Sequence, residues 1–196
     1  MRPEPYTRRE YVAAFRQLAA RIAASLKDVP SRALPIRMYV AGGAALHFHT
    51  GERVSVDVDA VFSRRIALPD GLEVAYRDED GAARLLYFDR QYNDTLGLMH
   101  EDAQDDSIPL TLEGIDSRVL DVRILTPVDL AVSKLGRFSE QDRADIAALA
   151  RRGLVSATNL EKRAMEALAI YVGDTQRLRG NIAGAVEIVM ANSPVS

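Results

Sequence analysis

Tyr39-Val-Ala-Gly-Gly-Ala-Ala-Leu46, followed by Arg53-Val-Ser-Val-Asp-Val-Asp-Ala-Val-Phe62, is the stretch that decides the fold. It reads as a buried strand, a glycine turn, a short helix and a second strand carrying two carboxylates. Side chains alternate along a strand, so Ser55, Asp57 and Asp59 are expected on one face, with Val54, Val56 and Val58 buried on the other. Two carboxylates side by side repel each other, and a sheet avoids that arrangement unless a cation lies between them. Their hard oxygen donors suit Mg²⁺, which takes one or two carboxylates together with the phosphates of a substrate.

The glycine pair supplies the other half of this candidate site. Gly42 and Gly43 allow a sharp turn and a close approach of backbone to ligand. A helix starting near Ala44 would offer unpaired N–H groups and its positive end to an anion such as phosphate. A phosphate cradle directly followed by a metal-binding strand implies a nucleoside triphosphate bound through Mg²⁺.

Composition sets the outer bounds. The chain has 196 residues, 47% hydrophobic and 27% charged, which suits one decorated soluble domain or a domain with a small helical appendage. No window approaches the run of about 20 apolar residues that a membrane helix needs, and the N-terminal residues lack the apolar core of a secretory signal. With no cysteine there are no disulfides and no thiolate metal sites, which is compatible with the reducing cytoplasm, the localisation expected here. A net charge of −3 gives no global attraction for nucleic acid, although Arg8-Arg9, Arg64-Arg65, Arg151-Arg152 and the Arg177/Arg179 pair are local basic spots.

The hydrophobic pattern outlines the rest. Thr7 and Glu10 resemble a capping box opening a helix with an apolar stripe of Tyr11, Phe15, Leu18, Ile22 and Leu26. Strands are expected over Ile36 to Val40, through the acidic segment, and over Leu72 to Arg77 and Ala82 to Phe88, the last two joined by an Asp-Gly turn. The acidic stretch Asp89 to Asp106 reads as a loop with a short element around Leu96 to Met99, and further strands are expected over Ile108 to Leu112 and Arg118 to Leu125. From Thr126 the pattern is helical, with start signals at Thr126-Pro127 and Ser139, and further helices from Ser156 and Thr175. The expected fold class is α/β: a mixed β-sheet core with an N-terminal helix over residues 1–125, and a C-terminal helical region over residues 126–196 packed on that core.

The order strand, Gly-Gly, short helix, Arg-x-Ser-x-Asp-x-Asp resembles the nucleotidyltransferase superfamily of the polymerase-β type. The Gly-Gly version with Ser-x-Asp-x-Asp is closest to the AbiEii and MenT group of toxin-like nucleotidyltransferases. Thr126-Pro-Val-Asp-Leu…Lys134 followed by Asp142-Arg-Ala-Asp145-Ile resembles the second signature of that group. The resemblance implies a transferase moving a nucleoside monophosphate from a triphosphate to an acceptor, either a tRNA 3′ end or a protein hydroxyl. It further implies a toxin paired with a cognate antitoxin.

Asp57 and Asp59 are the expected ligands of one or two Mg²⁺ ions, with Gly42, Gly43, Ser55, Arg53 and Lys134 on the phosphates and Asp142 or Asp145 behind the lysine. Two residues stay open at this level. Asp121 either faces the metals, if its strand pairs beside that of Asp57, or stands on an edge strand in solvent. Lys134, read as the middle of an aliphatic helix, is either a surface lysine or a point charge for a triphosphate. Two other functions use the same features: a non-catalytic antitoxin-like or regulatory protein that keeps the fold, and a metal-dependent phosphohydrolase.

Overall fold

The computed structural model describes residues 1–4, 6–93 and 97–194. It divides into two compact units, Met1–Tyr92 with Ser107–Ile124, and Asn93–Asp106 with Leu125–Ser196. Together they make an α/β protein with an N-terminal helix, mixed sheets and C-terminal helices. Among the described residues no helix is long and apolar enough to cross a membrane.

In the first unit, helix α1 (Arg9–Ser25) buries Tyr11, Phe15, Leu18 and Ile22, the stripe read from the sequence. The expected capping box does not form. The helix starts one residue later than the box requires: Arg8, without a side-chain hydrogen bond, occupies the N-cap, and Thr7 Oγ donates to the Glu4 carbonyl at 2.7 Å. The strands are β1 (Ile36–Val40), β2 (Asp57–Val58), β3 (Ala60–Phe62), β4 (Glu73–Arg77), β5 (Ala83–Phe88), β6 (Ile108–Pro109) and β7 (Leu120–Ile124). They form two mixed sheets instead of one, in the orders β3-β1-β7-β6 and β2-β5-β4. The β4–β5 hairpin is antiparallel, as the Asp-Gly turn implies. Helix α1 packs on that hairpin and covers the face carrying Val74 and Leu86, both buried.

The second unit holds α3 (Pro127–Ser133), α4 (Glu140–Arg151), α5 (Ala157–Ile170) and α6 (Thr175–Asn192); helix α2 (Gly42–Thr50) belongs to the first. Thr126 Oγ accepts from the Asp129 N–H, and Ser139 and Asp142 complete a reciprocal capping box, so both start signals act as read. Helices α4 and α5 pack on α6, and α3 packs on α5. Half-buried Arg163 of α5 joins Asp129 at 2.7 Å to Asp106 at 2.7 Å, which ties the end of the acidic segment to the helices. The short element expected around Leu96 to Met99 starts on a residue outside those described; Leu98 itself is buried.

Candidate active site

The acidic segment does not run as one strand. Up to Val58 its backbone bonds to β5 and the segment after it: Val56 O accepts from Tyr87 N at 2.9 Å and Val58 O from Asp89 N at 3.1 Å. At Asp59 the chain changes sheets, and Asp59 O accepts from Ala41 N at 2.8 Å. Residues 60–62 then pair antiparallel with β1. Asp59 is thereby fixed beside the residue that precedes the glycine turn. The expectation of three buried valines is corrected in part: Val58 is buried, Val54 is half-buried, and Val56, ahead of β2, is 58% exposed. Ser55, Asp57 and Asp59 keep the relation that alternation implies. Ser55 Oγ donates to Asp57 Oδ1, and both acids are half-buried.

Helix α2 starts at Gly42, two residues earlier than read. Gly42 has φ +57°, and a Cβ there would stand 1.8 Å from Asp59 Oδ2. A Cβ on Gly43 would meet Ser55 Oγ at 2.8 Å and Arg53 Nη1 at 3.0 Å. The two glycines are needed so that the helix start can press against Asp59, Ser55 and Arg53. Ala41 at the N-cap has no side chain to accept from the first-turn N–H groups, which leaves those donors to another partner.

A rigid buried layer supports this turn. His47 of α2 accepts from Arg8 N at 3.0 Å through Nε2, so its Nδ1 carries the proton and donates to the Arg53 carbonyl at 2.9 Å. Burial lowers its pKa to about 4, against a smaller upward contribution from the Arg53 carbonyl. The ring therefore stays neutral at pH 7 and holds the backbone of Arg53. The Tyr11 ring stands edge-on to His47 at 4.8 Å. Its hydroxyl is the one buried side-chain polar atom without a hydrogen-bond partner among the described residues. Burial, then Tyr76 and Asp57, raise its pKa.

Asp121 is not brought to this site. Its register partner on β1 is Arg37, whereas Asp59 bonds to Ala41, about four positions or about 13 Å further along the sheet. Arg123 binds its carboxylate at 3.3 Å and Arg37 stands at 3.9 Å. Register, which no local pattern reveals, separates it from the other acids.

In the second unit, Lys134, Asp142 and Asp145 do come together. Helix α3 stops at Ser133, so Lys134 is its C-cap and not a mid-helix residue. Only 6% exposed, its Nζ lies 2.6 Å from Asp145 Oδ2 and 4.0 Å from Asp142 Oδ1. Gln141 donates to the other Asp145 oxygen at 2.9 Å. Burial pushes the Asp142 carboxyl up, but hydrogen bonds from Arg137 and Ser139 outweigh it and hold the pKa down to about 2. Arg137 and Gln141 were missed in the sequence; helical spacing of Gln141 to Asp145 was the available signal for one of them.

With this geometry in view, residues 17–182 match the model of a family described as nucleotidyltransferase of unknown function (DUF6036). No curated protein matches the sequence.

Proposed function

The chain belongs to this nucleotidyltransferase family, and on that premise we propose that it transfers a nucleoside monophosphate from a Mg²⁺-bound nucleoside triphosphate to an acceptor hydroxyl, releasing pyrophosphate. The observation that carries the reading is the seating of the Gly42 turn against Asp59, with Ser55 on Asp57. It sets free helix-start donors beside two carboxylates, a donor set that fits one or more Mg²⁺ ions whose remaining ligands are phosphate oxygens. When bound, Mg²⁺ supplies charge neutralisation of the triphosphate.

The residues of the chain hold and orient. Asp57 and Asp59 would hold the metal. The N–H groups at Gly42 and Gly43, with Arg53 and Ser55, would bind the phosphates that leave as pyrophosphate. The acceptor oxygen attacks the α-phosphorus, the bond to the bridging oxygen breaks, and the acceptor proton passes to solvent or a site carboxylate. Positioning and preorganised charge carry such a reaction. Lys134 keeps its proposed role as a phosphate-directed cation, with Asp145 and Asp142 as its positioning partners. The AbiEii and MenT resemblance supports a tRNA 3′ end or a protein hydroxyl as acceptor and a cytoplasmic toxin with a cognate antitoxin as the context.

Incubation with each α-labelled triphosphate, Mg²⁺ and total RNA and protein tests this. Label on a macromolecule, lost in Asp57→Asn, is the expected result. Free monophosphate without labelled macromolecule identifies a phosphohydrolase, and no Mg²⁺-dependent triphosphate binding identifies a non-catalytic member.

A further inference from the structure

Strand β2 pairs in parallel with β5, and the register partner of Asp57 is Tyr87. Register partners project from the same face of a sheet, with neighbouring strands about 4.8 Å apart. Tyr87 and Asp57 therefore hold neighbouring positions on one face of the sheet, opposite the face α1 covers. It is 39% exposed, and Leu85, two residues earlier on the same face, is 47% exposed. Ala75 of β4, the partner of Leu85, widens the same patch with a small side chain. A large aromatic and a leucine left open next to a metal-directed acid are unusual, because the same strand buries Leu86 and Phe88 on its other face.

We infer that this open face is the nucleobase subsite of the bound triphosphate, with the base stacked on Tyr87 and edged by Leu85. The inference rests on the proposed phosphate site at the glycine turn. If the phosphates bind there and Asp57 stands by the α-phosphate, the nucleoside extends away from the turn, toward β5. The chemistry of the patch suits a flat, uncharged ring: a π-face for stacking and an aliphatic edge, on a strand whose backbone N–H at Tyr87 is already bonded to Val56 O. It does not suit a polyanionic strand. Across the β2, β5 and β4 positions of this face the basic residue is Arg77, which donates to the Gly81 carbonyl at 2.8 Å, and Glu73 adds a negative charge. Because stacking tolerates every base, the subsite strengthens binding without selecting strongly among the four triphosphates.

The test is calorimetric titration, in Mg²⁺, of each nucleoside triphosphate and of inorganic tripolyphosphate, which has phosphates but no base. The parent protein is expected to bind the triphosphates roughly tenfold more tightly than tripolyphosphate, the range that stacking on one aromatic gives. Tyr87→Ala should remove that preference and leave tripolyphosphate affinity intact, and Tyr87→Phe should retain it. Tyr87→Leu, which keeps apolar area for folding but has no ring, should behave as the alanine variant does. A triphosphate-to-tripolyphosphate ratio unchanged by Tyr87→Ala and Tyr87→Leu overturns the inference and gives the face to the acceptor or to no ligand. Triphosphate binding that depends on Tyr87, without any tripolyphosphate binding, would instead refute the phosphate site while keeping the stack. Absence of all binding overturns both.

Discussion

Gly42→Ala separates the geometric role of the turn from its backbone strain. Gly42 has φ +57°, in the left-handed region, where an L side chain costs about 1–2 kcal/mol. The new Cβ would also stand 1.8 Å from Asp59 Oδ2, and relief to an ordinary 3.4 Å contact displaces the carboxylate by about 1.6 Å. Misplacement of a reacting group by 1 Å costs on the order of 10²-fold in rate. Gly71→Ala is the matched control: φ is +65°, and nothing lies within 4 Å of its Cβ. Urea unfolding should show a loss of about 1–2 kcal/mol in Gly71→Ala, from backbone strain alone, and at least that in Gly42→Ala, where the clash with Asp59 adds to the strain. Label transfer from an α-labelled triphosphate should fall roughly 100-fold or more in Gly42→Ala and stay near the parent rate in Gly71→Ala. Equal transfer by the two variants would refute the claim that the glycine exists to seat Asp59.

Three further outcomes are expected. Lys134→Ala leaves the Asp145 carboxylate, 1% exposed, without its cation, so urea unfolding should show a loss of about 3–5 kcal/mol; a loss below about 1 kcal/mol would show the pair to be solvated. Tyr11→Phe removes a buried hydroxyl that has no partner, and should leave stability unchanged or raise it by about 1 kcal/mol; a clear loss in the same assay would show that the hydroxyl is hydrogen-bonded. The His47 pKa is lowered to about 4 in the folded chain, so below the ordinary 6.5 the unfolded state takes up a proton that the native ring refuses. Stability should therefore be full above pH 6.5 and fall by at most about 3 kcal/mol as pH drops toward 4. His47→Gln should flatten that part of the urea-midpoint profile, and an unchanged slope would assign it to other groups.

What the sequence revealed follows from what is local. The glycine turn, Ser55, Asp57 and Asp59 lie within 18 residues of one another, and their mutual placement needs only a turn and alternation. The helix starts at Thr126 and Ser139 were legible because caps act within one turn. The break at Asp59 was not legible, since β1 and β5, from distant parts of the chain, compete for its backbone. Asp121 stayed open for the same reason: the register of β7 on β1 is set by contacts outside its own segment. The end of α3 before Lys134 was hidden because apolar residues continue to Leu135, which sets the apparent stop at Gly136, past the lysine. Tyr87 passed unnoticed because both faces of β5 carry large apolar residues, which blurs the alternation that would mark an open side.

The central claim is that Asp57 and Asp59, seated against the Gly42 turn, form a Mg²⁺-dependent triphosphate site. Calorimetric titration of Mg²⁺ with a non-hydrolysable triphosphate into the parent, Asp57→Asn and Asp59→Asn tests it most directly. The account predicts metal-dependent binding in the parent, weakened at least about tenfold by either substitution, with circular dichroism unchanged. Binding of equal strength in all three proteins, or equal binding with and without Mg²⁺, would contradict it.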